Sequence, residues 1–169
     1  MILPVSLMAI DYVYWDSMCF IYRIGRKTEY ITALEEITRR AENNEIMLVT
    51  SVFTLAEVAV VNDKASAIDQ EKMIMDFFDN DFIYLVSFDE IICRKAREIV
   101  RTCKLKGKDA VHVASALSMP EVTAIHTNDT DIIKNTARLK PCPIKVQSPE
   151  DWLIALAEGQ LALNMESKK

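Results

Sequence analysis

Residues 106–131 read KGKDAVHVASALSMPEVTAIHTNDTD, and this stretch decides the architecture. Its first half is an Ala-rich apolar segment, AVHVASALS, with Asp109 in front of it as a candidate N-cap. Residues 122–127, VTAIHT, are an apolar, β-branched run that reads as a strand. Asp129 and Asp131 follow in a loop that leads into the short helical segment DTDIIKNTARL. A helix feeding a strand that feeds another helix is the repeating unit of an α/β protein.

The same alternation runs outward in both directions. Upstream, DYVYW (11–15) reads as a strand and 17–24 as a short helix. TEYITALEEITRRAEN (28–43) places Ile31, Leu34, Ile37 and Ala41 at helical spacing. EIMLVTS (45–51) is a strand, and FTLAEVAVV (53–61), coming after it, is assigned as helix. Residues 67–79 are helical, FIYLVS (82–87) is a strand, and DEIICRKAREIVRTCKL (89–105) is an amphipathic helix with Ile92, Ala96, Ile99 and Cys103 on one face. Downstream, PIKVQ (143–147) is a fifth strand, and Ser148-Pro149-Glu150-Asp151 combines a cap, a first-turn proline and acidic residues ahead of WLIALAEG. Strands separated by helices require right-handed crossovers, so the expected fold is a three-layer α/β/α domain around a mainly parallel five-stranded sheet. Residues 1–150 are taken as the domain, 151–169 as its helical extension, and 160–169 as a frayed polar tail.

Composition limits the function. The 169 residues suffice for one core, and half of them are hydrophobic. The formal charge of −5 gives no overall signature of a nucleic-acid coat protein. Cys19, Cys93, Cys103 and Cys142 form no CxxC pair, which argues against a zinc ribbon or a thioredoxin motif. Cys19, Cys93 and Cys103 read as small buried hydrophobes, in a reducing cytoplasmic setting. The N-terminal MILPVSLMAIDY lacks the basic flank of a signal peptide, Met8 is an alternative start, and no apolar run has the length of a membrane span. LKGKD lacks P-loop spacing, no GxSxG elbow occurs, and Met18 stands where an Asp-nucleophile phosphatase needs a second acid. A receiver-type signalling domain would need paired acids ahead of its first helix and a late-strand Lys, a set this chain lacks.

Four acids remain: Asp16, Glu57, Asp109 and Asp129, each beside an apolar segment. Each has a structural explanation of its own. Asp16 and Asp109 suit helix caps, Asp129 and Asp131 suit an Asx turn, and Glu57 suits a salt bridge. Caps do not explain why Asp16, Glu57 and Asp129 all follow strands, the end of a parallel sheet where ligands bind. Carboxylates gathered there repel one another, and a hard divalent cation relieves the repulsion. That is the setting for metal-assisted phosphodiester hydrolysis. His112, one turn after Asp109, either hydrogen-bonds a substrate or a supporting group of the site or packs, with packing the simpler reading, and His126 reads as structural. Arg23, Arg26, Lys27, Lys106 and Lys108 are either phosphate contacts or solvated loop charges.

VYWDSMCFIY with Asp16, TSVFTLAEV with Glu57, KGKDAVHVASAL with Asp109, and HTNDTD with Thr127, Asn128 and Asp129 resemble, in order, the four motifs of the PIN-domain family of metal-dependent ribonucleases. The resemblance covers residues 11–147; Trp15, bulky where an aliphatic residue is usual, and the tail at 148–169 depart from it. It implies a VapC-type toxin or a free-standing relative: a cytoplasmic endoribonuclease using Mg²⁺ or Mn²⁺, with an RNA substrate, an antitoxin partner, a homodimeric assembly and no membrane association. It implies Asp16, Glu57, Asp109 and Asp129 as catalytic metal ligands, Asp131 as a further metal group, and Ser17, Thr127 and Asn128 as substrate-positioning residues; Lys106 and Lys108, from their charge beside Asp109, are assigned to substrate positioning with them. The alternative is a PIN-like module that binds RNA or protein without useful turnover. The apolar helices at 53–78 are expected to exceed one core and to form a dimer or inhibitor surface.

Overall fold

The sheet grows from β1 (Asp11–Trp15), whose last three residues are completely buried. The computed structural model describes residues 10–140 and 142–166, so the expectations for the N-terminal segment, Met8 included, lie outside the described residues. β1 is flanked by β2 (Ile46–Ser51) and β4 (Val122–His126), with β3 (Ile83–Val86) and β5 (Lys145–Gln147) at the edges. Every pairing is parallel, and the spatial order is β3-β2-β1-β4-β5. Tyr14 pairs with Val49 on one side and Ile125 on the other, so the ends of β1, β2 and β4 share one edge.

Alternation along β1 sends side chains to two cores. Val13 and Trp15 face the layer built from α1 (Ser17–Ile24), α2 (Ile31–Glu42), α4 (Ala67–Phe78) and α8 (Pro149–Glu166). Tyr14 faces α5 (Glu90–Cys103), α6 (Gly107–Leu117) and α7 (Thr130–Thr136). α3 (Val52–Glu57) leaves the end of β2 directly and carries Phe53 to the second core. Trp15, the unusual bulky residue, fills the first core edge-on to Phe20 at 5.3 Å. Gly25, capping α1, passes so close to the Val61 carbonyl that any Cβ would collide with it.

Several boundaries differ from the sequence expectation. The helix after β2 stops at Glu57 rather than Val61. Three of the next four residues, Val58, Val60 and Val61, are β-branched and disfavour helix, and Val58 and Val61 turn back into the first core instead. α6 starts at Gly107, so Asp109 lies in its first turn and is not the N-cap. Cys93 is exposed because it sits off the buried stripe of α5, whereas Cys19 and Cys103 are buried as expected. The stretch taken as a frayed tail is helical as far as Glu166, continuing α8. Ser148 caps that helix, accepting from the Asp151 amide at 3.1 Å, and Trp152 drops into the first core.

Candidate active site

The end of β1 delivers Asp16 to the shared edge. Its amide donates to the His126 carbonyl at 3.3 Å, and its Oδ1 accepts from the Cys19 amide at 3.0 Å. The cap reading of Asp16 is therefore realised, but through one oxygen only. Asp16 is 2% exposed. Burial raises its pKa, opposed by the nearby His112, the Thr127 hydroxyl and the Cys19 amide.

Asp129 follows the same logic. It caps α7, with Oδ1 accepting from the Asp131 amide at 2.7 Å and the Ile132 amide at 3.3 Å. Its own amide donates to the Thr127 hydroxyl at 3.0 Å, and Thr127 is fully buried at the end of β4. Asp109, buried in the first turn of α6, has its pKa raised by burial and by the charge of Asp129, against the opposing Lys108, His112 and Lys106. An acid in the first turn of a helix faces the positive end of its dipole, which favours the ionised form.

Glu57, at the end of α3, is the most heavily engaged of the four. Its Oε2 meets His112 Nε2 at 2.6 Å, and Lys108 Nζ stands 3.8 Å from its Oε1. Burial pushes its pKa up, but His112, the Ser17 hydroxyl and Lys108 together outweigh burial and hold it low. On the other side His112 Nδ1 meets Tyr14 Oη at 2.9 Å. Burial pushes the Tyr14 phenol far up, so it stays protonated. The ionised Glu57 only accepts, so Nε2–H donates to it, and the Tyr14 hydroxyl is the partner of the other ring nitrogen. The partner expected for a Glu in an apolar run is thus His112, with Lys108 behind it. His112 is well satisfied as a packing residue, and one of its two partners, Glu57, is itself a candidate site residue. The sequence signal for that link was its position one turn after Asp109.

The four motifs influence one another around the edge: Ser17 acts on Glu57, Lys108 on Glu57, Asp129 on Asp109, and Thr127 on Asp16. Asp131 and Lys106 are exposed at the rim, and Asn128 is half-buried between Thr127 and Asp129. Arg23 and Arg26 are committed elsewhere, Arg23 to the Thr38 hydroxyl at 3.0 Å and to the Phe77 ring, Arg26 to Glu35 at 3.5 Å. Among the described residues, no three His, Cys, Asp or Glu side chains already stand in a metal-holding cluster. The chemistry of the donors still fits a hard cation. Burial raises the pKa of two carboxyls, with a neighbouring carboxylate adding to the effect at Asp109, and Mg²⁺ takes few protein oxygens directly and retains its waters. No helix among the described residues is long and apolar enough to cross a membrane.

No curated protein matches this chain in sequence. Solved structures with the same fold include VapBC2 from Rickettsia felis bound to a DNA fragment from their promoter, at TM-score 0.57 and 15% identity over 81% of this chain and 98% of that one. A toxin–antitoxin complex from Klebsiella pneumoniae aligns at TM-score 0.54 and 17% identity, covering 81% and 97%. PAE2754 from Pyrobaculum aerophilum aligns at TM-score 0.53 and 13% identity, covering 92% and 94%. At these identities the likeness is one of fold. The sequence itself matches the PIN domain over residues 13–139, from the middle of β1 to just past α7, a span that takes in all four acids. The chain therefore belongs to the PIN domain family, whose members are generally nucleases.

Proposed function

We propose that this protein is a metal-dependent endoribonuclease acting at the edge formed by β1, β2 and β4. The observation that carries the reading is Asp16, an acid held 2% exposed at the end of the central strand despite the unfavourable desolvation of its charge. A purely structural cap gains nothing from burial that Asn or Ser would not supply. Asp16, Glu57, Asp109 and Asp129 are the residues that would hold Mg²⁺ or Mn²⁺, with Asp131 at the rim. A bound divalent ion supplies an activated water and neutralises charge on the leaving oxygen. Ser17, Thr127 and Asn128 position water and substrate by hydrogen bonds, and Lys106 and Lys108 attract the phosphate. His112, braced by Tyr14, fixes the Glu57 carboxylate.

An antitoxin partner is proposed by analogy with the two toxin–antitoxin neighbours. The exposed Val52, Leu55, Val60, Ile68 and Met75 are the apolar surface proposed for that partner or for a second copy. The engagement of Glu57 by His112 and Lys108 favours a second reading, a module that binds without turnover.

Two measurements on one preparation decide between them. Calorimetric titration with Mn²⁺ reads binding, and digestion of total RNA reads turnover. Wild-type protein is expected to do both, and Asp109→Asn neither. Metal binding without RNA cleavage at any ion concentration would replace the enzyme reading with the binding module.

A further inference from the structure

The positive charge of this acidic chain is unevenly placed. Between Ile91 and Lys108 stand seven of its twenty Lys and Arg residues and a single acid, Glu98. α5 buries Ile92, Ala96, Ile99 and Cys103. At about 100° per residue, Arg97, Arg101 and Lys104 fall together on a different flank, and Glu98 stands at its border, one turn before Arg101 and with no ion pair to it among the described residues. All three are exposed, as are Lys106 and Lys108 beyond the helix. Among the described residues, Arg97, Arg101, Lys104 and Lys106 make no ion pair.

This flank borders a groove of about 460 Å³ lined by Phe53, Cys93, Arg97, Val100, Lys108 and Val111. The floor is apolar and two cations stand on the rim. The groove opens beside the candidate site. Lys108 reaches to 3.8 Å from Glu57, and the Phe53 ring lies 6.1 Å from the His112 ring. Phe53 also leans on Phe88, itself 42% exposed, so the aromatic surface continues outward. A cationic ridge beside an apolar, aromatic groove suits a ligand with an anionic backbone and free flat faces. Single-stranded nucleic acid has both, whereas a duplex hides its base faces.

We propose that single-stranded RNA reaches the carboxylates along the basic flank of α5, with Arg97, Arg101 and Lys104 on its phosphates and one base against Phe53. The choice of RNA rests on the ribonuclease reading; the surface is argued from charge and shape.

The test uses full-length Asp16→Asn protein in EDTA and a labelled single-stranded RNA, with anisotropy titrations across a salt series. Arg97→Glu/Arg101→Glu/Lys104→Glu is expected to weaken binding by at least about tenfold. It should also reduce the salt slope by about 2, because each phosphate left unneutralised removes ~0.7 from it. Lys64→Glu/Lys140→Glu/Lys145→Glu, with the same change in net charge, stays within about twofold of the parent. Phe53→Leu weakens binding several-fold at every salt concentration and leaves the slope alone. Circular dichroism checks that each variant is folded. Equal binding by the two triple variants overturns the proposal. So does equal competition by duplex RNA, and so does equal competition by poly-glutamate, which would make the flank a dock for an acidic protein. Cleavage by wild type in Mn²⁺ is scored separately. Its absence with the triple-variant effect intact breaks the nuclease reading alone, and its presence with no triple-variant effect breaks the surface alone.

Discussion

His112 and His126 are both hidden from solvent, 3% and 0% exposed, yet they lie on opposite faces of the sheet and in different chemical worlds. His112 faces the second core, with Tyr14 on one nitrogen and an acid on the other. His126 faces the first. Its Nδ1 accepts from Trp15 Nε1 at 3.1 Å, its Nε2 has no partner among the described residues, and the Trp152 ring packs 5.0 Å away. Burial alone pushes the His126 pKa down to about 3, so the ring is locked neutral. Burial of a histidine therefore does not mark a site. What distinguishes the two regions is whether charge of the opposite sign faces the ring.

The sharpest way to break this contrast is to compare turnover. Asp16→Asn, on the charged edge, is expected to lower RNA cleavage by about 10³-fold. His126→Phe, a substitution of similar volume in the apolar layer, is expected to leave kcat per folded molecule within about twofold. A comparable loss in both would show that the two regions are not separable.

Acid unfolding comes next in size. The folded-state pKa of His126, about 3, lies below its unfolded value of 6.5. Below pH 6.5 the unfolded chain binds a proton that the folded chain refuses, so stability falls as pH falls, by about 2 kcal/mol at about pH 5. Asp16 and Asp109 act in the opposite sense. Their folded pKa values are raised above 3.8, so the penalty of burying their charge is relieved as pH drops through the raised values. Urea melts from pH 7 to 5 on His126→Phe should lose the histidine contribution. An unchanged slope would place the acid sensitivity elsewhere.

The sheet was legible in the sequence because each strand announced itself by an apolar, β-branched run between helical periods, as in VTAIHT and EIMLVTS. The acids were legible because Asp16 and Asp129 sit immediately past such runs. Val58–Val61 misled because apolar residues after a helix look like more helix, and only the first core tells them to turn inward. Asp109 misled because Lys106 makes no side-chain cap bond to mark where α6 begins. The Tyr14–His112–Glu57 chain joins residues 98 and 55 positions apart, so nothing local announces it. The basic flank of α5 was hidden by a net charge summed over the whole chain.

A smaller effect separates positioning from packing at His112. His112→Gln keeps one hydrogen bond toward Glu57 or Tyr14 but not both, and it is expected to lower cleavage by about tenfold. If His112 serves only as packing, the loss should appear in stability and disappear when rates are expressed per folded molecule. If it fixes Glu57, Mn²⁺ affinity measured by calorimetry should fall as well.

The smallest effect runs against intuition. Asp16 is destabilised by its own burial, so its charge works against the fold that holds it. Asn at the same place can still cap α1 by accepting from the Cys19 amide, and it has no charge to desolvate. Asp16→Asn should therefore melt a few degrees higher than wild type in EDTA while losing activity, the trade expected where a site is maintained at the expense of stability. No such gain is expected at Glu57, whose carboxylate is held low by His112, Ser17 and Lys108, so that Glu57→Gln removes favourable contacts. A lower melting temperature for Asp16→Asn in EDTA would mean that the carboxylate at the end of β1 is structurally satisfied, and the reason for placing a cation beside it would be gone.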